Sequence, residues 1–408
     1  MLLRVFTAVV LSAVLLVQPA WTQVSPESAE KYNSGQDLFK KRRYQDALAA
    51  FEDAVKLDAK NAQAYRGMAK TYQKLRNYPQ AVESFQMAVG VKPDYVEAYY
   101  ELGQLQLTTL REYEKAQSSF QSLLEVNPDF QEGKVRDLLK AAYVKHGSGY
   151  HRQKNYKKAA AQYENATQLD PTDATVFYNL GLAHRSARNY TKARNAFTTA
   201  TDLNPKYAKA HRALGDLYRI TKKNSQAIRS YKKAIDSDPS CKIKSTIHAY
   251  INLGKVYTST KQAAKAVTML QKAVTVSPKN RKAKVYIALG FAHTQRKHFK
   301  SAVSAFTQAL KFDGRNSEAQ YRLASAHFEL KNYQNALNAA RKATGSSKFR
   351  VPAHVLMGDV FDAWRPDGWK EKAIANYKKG LKDRRNKKYC EDKIDRILNP
   401  MGEEVEGE

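Results

Sequence analysis

Nine histidines, two cysteines and a surplus of Lys and Arg are the residues of this sequence that could do chemistry. Histidine and cysteine act as ligands or nucleophiles only when several converge. A zinc site on one helix face needs two histidines four residues apart. His146 and His151 are five apart, and so are His293 and His298. Cys241 and Cys390 are too few for a four-cysteine zinc site or a disulfide-stapled fold. The sequence has no G-x-x-x-x-G-K-[ST] loop, no strand-then-glycine dinucleotide turn and no G-x-S-x-G elbow. The reading is a non-enzyme with no catalytic residue, no metal site and no cofactor. What remains is charge. With 69 Lys and Arg against 39 Asp and Glu, the chain carries +30 over 408 residues, which speaks for an anionic partner.

Charges act together only if the fold holds them in rows, and a repeat of about 34 residues supplies such a fold. Ala47, Ala81 and Ala116 begin a series that resumes at Ala159 and runs through Ala193, Ala227, Ala266, Ala302 and Ala336 to Ala373. Four residues after most of them comes a large side chain, as in Phe51, Phe85, Phe197, Tyr231, Phe306 and Tyr377. A small residue usually follows three further on. Ahead of this row, Leu-Gly recurs at Leu180–Gly181, Leu214–Gly215, Leu253–Gly254 and Leu289–Gly290, with Tyr or His three residues later. Both spacings put their residues on one face of a helix. Each unit is therefore predicted to be a helical hairpin, with Gly and Ala where the helices approach and an aromatic ring between them. Prolines such as Pro171 and Pro205 stop the second helix. One hairpin cannot bury its own apolar face, so the units must stack.

This combination of positions resembles the tetratricopeptide repeat (TPR) family, and the resemblance covers roughly residues 28–382. It implies an all-α superhelical solenoid of about ten helix-turn-helix repeats. The organisation expected is a three-repeat block at 28–130, a seam at 131–139, a block of about seven repeats at 140–382, and a capping helix at 387–398. Unit three carries one extra residue, residues 242–246 are an insertion, and the tenth unit turns through Trp364–Trp369.

The ends read differently. Arg4 is followed by the apolar run Val5–Val17, interrupted only by Thr7 and Ser12. A bilayer-spanning helix needs roughly 20 apolar residues. Residues 1–22 are therefore predicted to be a secretory signal peptide, cleaved after Ala20 or Thr22, and the chain to be exported, periplasmic or secreted. Residues 399–408 end in an acidic stretch predicted to be a solubilising tail. Cys241 and Cys390 lie several units apart, beyond the reach of a disulfide, so both are predicted to be free thiols.

In the TPR family the helix A residues not used in packing line a concave face that holds an extended peptide or a partner helix. Carried onto this register, the resemblance implies a basic groove of Lys145, Arg152, Asn179, Arg185, Lys209, Arg212, Arg219, Asn252, Lys255 and Lys284, opposed only by Asp216. His248 belongs to the same face. The clamp of Lys, Asn and Arg that some members use for a terminal carboxylate is incomplete here, because Ala213 and Ile287 stand where it requires Arg. The expected function is an exported scaffold for protein–protein interaction that holds an acidic or extended partner segment. The alternative is a polyanion-binding module for acidic polysaccharide, lipopolysaccharide or an anionic membrane surface. The net charge also permits nucleic acid, against which the export reading argues. Reversal of Arg212, Arg219 and Lys255 to Glu is expected to weaken an anionic partner without unfolding the array.

Overall fold

The structure is a computed structural model that describes residues 24–399 apart from Glu132 and Ile243. The predicted signal peptide at 1–22 and the acidic end of the chain lie outside the described residues. Among those residues every element is helical, and none of the helices is long and apolar enough to cross a membrane.

The first four hairpins pair α1 (Pro26–Lys40) with α2 (Tyr44–Leu57), α3 (Ala62–Lys74) with α4 (Tyr78–Val91), α5 (Val96–Gln104) with α6 (Tyr113–Val126), and α7 (Lys134–Arg152) with α8 (Tyr156–Leu169). The next three pair α9 (Ala174–Ser186) with α10 (Tyr190–Leu203), α11 (Ala208–Ile220) with α12 (Asn224–Asp236), and α13 (Lys244–Ser259) with α14 (Ala263–Val276). The last three pair α15 (Lys279–Gln295) with α16 (Phe299–Phe312), α17 (Ser317–Glu329) with α18 (Tyr333–Ala343), and α19 (Ser347–Trp364) with α20 (Trp369–Gly380). Then comes α21 (Lys387–Leu398). The hairpins fall into two compact units that divide between Thr172 and Asp173.

Within each unit the repeat positions do what their chemistry requires. Ala302, Phe306 and Ala309 of α16 are buried, and a methyl group built on Gly290 of α15 would come within 2.5 Å of the Phe306 ring. No side chain larger than hydrogen fits there without moving the aromatic. Second helices end on an Asx turn: the Asp58, Asn127, Asp170 and Asn204 side chains each accept from a backbone N–H two residues on. Several first helices start with a side-chain cap, Asn61 accepting from Ala64 N–H at 2.9 Å and Asp173 from Thr175 N–H at 2.8 Å. The two helices of all ten hairpins are joined through a Lys or Arg at φ between 52° and 63°, from Arg42 to Arg365. This left-handed conformation costs a residue with a Cβ about 1 kcal/mol and costs glycine nothing.

Departures from the repeat length are absorbed locally. The extra residue of unit three appears as a π-helical turn, Leu105–Leu110, continuing α5. Residues 134–139 of the seam are the first turns of α7, where Val135 and Leu139 are buried, and residues 244–246 open α13. The last helix, α21, packs on α20 with Cys390 and Ile397 buried. Asp362 accepts from Lys393 Nζ at 3.0 Å and from Arg396. The hydroxyls of Tyr377 and Tyr389 both donate to Asp359 Oδ1, at 2.9 and 2.7 Å. Cys241 and Cys390 are both free and buried, and burial pushes the Cys241 thiol up to about 11.

Candidate functional site

A concavity of about 670 Å³ lies within the second unit. It is formed by the first helices of four successive hairpins, α11, α13, α15 and α17. Arg212, His248, Asn252, Lys255 and Lys284 line it, five residues of the predicted face. Its apolar floor is Ile251, Ile287, Ala288 and Phe291, and Glu318 with Arg322 closes the far side.

The cations there differ in what they can offer. Arg212 Nη1 lies 2.6 Å from Asp216 Oδ2, one turn along α11. The other Asp216 oxygen accepts from the Tyr231 hydroxyl at 2.7 Å and from Asn252 Nδ2 at 2.9 Å. Only 20% of the Arg212 side chain and 13% of the Asp216 side chain are exposed, so this is a mostly buried ion pair. Burial, and then the Asp216 carboxylate, hold the Tyr231 hydroxyl well above its ordinary range. Across the concavity, Arg322 donates to Glu318 at 3.0 Å and its guanidinium sits 4.8 Å above the Phe291 ring. Arg212 and Arg322 therefore have counter-ions. Lys255 and Lys284 are exposed and make no ion pair among the described residues.

His248 registers the resulting field. Burial first, and then Arg212, Lys284 and Lys244, push its imidazole below the ordinary histidine range, with Asp216 acting weakly the other way.

The remaining predicted residues do not join this concavity. Lys145 and Arg152 lie exposed on α7, in the first unit. Asn179 and Arg185 are half-buried on α9, and Lys209 is exposed on α11. Arg219, at the end of α11, is exposed. The ion pair changes the expected result of reversing Arg212. A glutamate there would face Asp216 in a mostly buried position, so fold and binding would be lost together. Glu318 and Arg322 went unrecognised in the sequence, although they stand 34 residues beyond Lys284 and Ala288 in the same register. His184 and His211 are buried, and His211 Nε2 pairs with the Pro205 carbonyl at 2.8 Å. No group of three His, Cys, Asp or Glu that could hold a metal is found among the described residues.

Comparison with known proteins agrees with the repeat register. Family models described as "Tetratricopeptide repeat" match residues 38–94, 96–130, 178–240, 247–280 and 287–349, and one described as "TPR repeat" matches 147–187. The chain belongs to the tetratricopeptide repeat family, whose fold is typically a non-enzymatic scaffold for protein–protein interaction. Among curated proteins it is 30% identical over 77 residues to Hsp70-Hsp90 organizing protein 2 of Arabidopsis thaliana. It is 28% identical, again over 77 residues, to Hsp70-Hsp90 organizing protein of Triticum aestivum. Each match takes in 19% of this chain, and the chain spans only 14% and 13% of the two relatives. Among solved structures it is similar to a chain of the APC/C hetero-tetramer Cut9-Hcn1, with 17% identity, TM-score 0.45 and coverage of 91% and 84% of the two chains. It is also similar to yeast Tom70, with 15% identity, TM-score 0.41 and coverage of 91% and 96%.

Proposed function

We propose that this chain is an exported, non-enzymatic scaffold of an envelope or secreted assembly, and that the concavity across α11, α13, α15 and α17 holds an acidic, extended segment of a protein partner. The observation that carries this reading is the pair Lys255 and Lys284, two exposed lysines without counter-ions among the described residues, beside an apolar floor. A partner segment that matches it places one apolar side chain on Ile251, Ile287 and Phe291, with carboxylates toward the two lysines. The name of the Arabidopsis relative, an organizing protein for two others, is in keeping with a scaffold.

The test uses a labelled octapeptide rich in Glu with one central Leu, and its Lys-for-Glu counterpart, followed by fluorescence anisotropy. The acidic peptide should bind and the basic one should not. The double variant Lys255→Glu/Lys284→Glu should lose about ten-fold or more in affinity, each ten-fold step being about 1.4 kcal/mol. Both side chains are exposed, so the melting temperature should hold. Equal affinity in the variant would remove the site from this concavity.

Binding should also take up a proton. Arg212, Lys284 and Lys244 disfavour the His248 imidazolium in the free protein, and an acidic ligand counters that repulsion. Relief of that repulsion raises the imidazole's pKa on binding, so affinity should increase as pH falls below about 6.5 toward the depressed value of the free protein, while the peptide's glutamates stay ionised. His248→Gln should flatten that dependence; a profile unchanged by this substitution would assign the proton elsewhere.

A further inference from the structure

We infer that, within the second unit, the turns joining the two helices of each hairpin form a cationic ridge that binds an extended acidic polysaccharide, on residues separate from the concavity. In the second unit the turn residues are Arg188, Lys222, Lys261, Lys297, Lys331 and Arg365, all with φ between 52° and 63° and all exposed. The four hairpins of the first unit follow the same rule, from Arg42 to Lys154. Glycine adopts this conformation without strain, and Asn or Asp tolerates it best among the others. None of the three occupies any of the ten turns. Lys and Arg make up 69 of 408 residues, so composition alone would leave most of these turns non-basic.

A structural account exists and falls short. Each turn follows the C-terminus of a first helix, where a positive charge is favoured by the helix dipole. A cation in the last helical turn gains the same attraction without a left-handed backbone, and Lys40, Lys74, Arg185 and Arg219 provide it on four of the first helices, whereas α13, α15 and α17 carry no Lys or Arg in their last turn. At Arg188 and Lys222 the turn cation is therefore additional to one already in place. From Arg188 to Lys331 none makes an ion pair among the described residues, whereas Arg365 stacks on Trp369 and donates to the Asp362 carbonyl.

Their placement makes a line. First helices of successive hairpins pack on one another, as α11 does on α13 and α13 on α15. Their C-terminal ends therefore succeed each other along one edge at intervals of roughly 10 Å. The segments 186–192, 220–226, 259–265 and 295–301 add Lys192, Lys223, Lys265, Arg296 and Lys300 and contain no Asp or Glu. A single file of cations matches a linear polymer with charge at regular intervals. It does not match a peptide, which needs apolar anchors, and a membrane would call for a face of charge instead of a row.

The experiment replaces Lys222, Lys261, Lys297 and Lys331 with Gly in the full chain and uses a polygalacturonate oligomer as probe. Glycine relaxes the four turns, so Tm should hold or rise. Affinity at low salt should fall about 100-fold or more, and the slope of log K against log salt should shrink by roughly 3, at about 0.7 per cation removed. The fourfold Lys→Arg variant should bind like the original. Unchanged affinity and slope in the glycine variant would overturn the ridge, and a marked loss of Tm would return these residues to a helix-capping role. Wild-type chain that binds vesicles of anionic phospholipid, or single-stranded oligonucleotide, but not polygalacturonate would overturn the polysaccharide assignment. The acidic octapeptide, measured on the same glycine variant, should bind as before, so failure of the ridge and failure of the concavity are read separately.

Discussion

Phe306→Ala is expected to destabilise the second unit by about 3–5 kcal/mol, the range for removing a fully buried aromatic ring. Phe306 is 1% exposed, and its ring fills the space that Gly290 leaves open between α15 and α16. The cavity cannot close easily, because Ala302, Ala309 and Ala326 around it are already small. Stability in a stacked array is close to a sum over units and nearest-neighbour interfaces, so the loss should be local. Amide exchange should accelerate in α15, α16 and α17 while α9 and α10 keep their protection. Urea unfolding should lose its single transition. Exchange that accelerates equally across every helix from α9 to α20 would contradict nearest-neighbour coupling, and a loss below about 1 kcal/mol would contradict the packing argument.

Positions such as Phe306 were legible in the sequence because they act through size and period, which do not depend on what lies far away in the chain. The extra residue of unit three could be counted but not placed. Whether it lengthens a loop or widens a helix depends on the neighbouring hairpin, and here Leu105, Gln106 and Leu107 bury themselves by widening α5 into a π turn. Residues 134–139 were set apart because they match no repeat position, yet Val135 and Leu139, four apart, continue the buried face of α7. The groove was legible as a register and obscure as a charge distribution. Arg212 and Asp216, four apart on α11, form a pair that spacing alone permits. Spacing could not reveal that Tyr231, from the second helix of the same hairpin, and Asn252, from the next hairpin, complete the shell of Asp216. Which cations stay unpaired is settled only once the layers stack.

Asp216→Ala is the sharpest consequence of that shell, with an expected cost of about 3 kcal/mol for leaving a largely buried charge without its partner. The substitution strands the Arg212 guanidinium, whose Nε already has no hydrogen-bond partner, and deprives both the Tyr231 hydroxyl and the Asn252 amide of their acceptor. Asp216→Asn keeps an acceptor oxygen and loses the charge, so it should fall between the two. Replacing the pair together, Arg212→Met with Asp216→Leu, should cost far less than Asp216→Ala alone, since no charge is then left behind. Urea denaturation of the single and double variants measures the coupling directly. Additive losses would show that the two side chains act independently. The same substitution should move binding in the opposite direction. Asp216 neutralises one of the cations that line the concavity, so its removal releases Arg212 toward the ligand. Per folded molecule, Asp216→Ala should hold the acidic octapeptide more tightly while the protein itself unfolds more readily. Loss of both together would mean that Asp216 positions Arg212 and Asn252 for the partner and does not mask them.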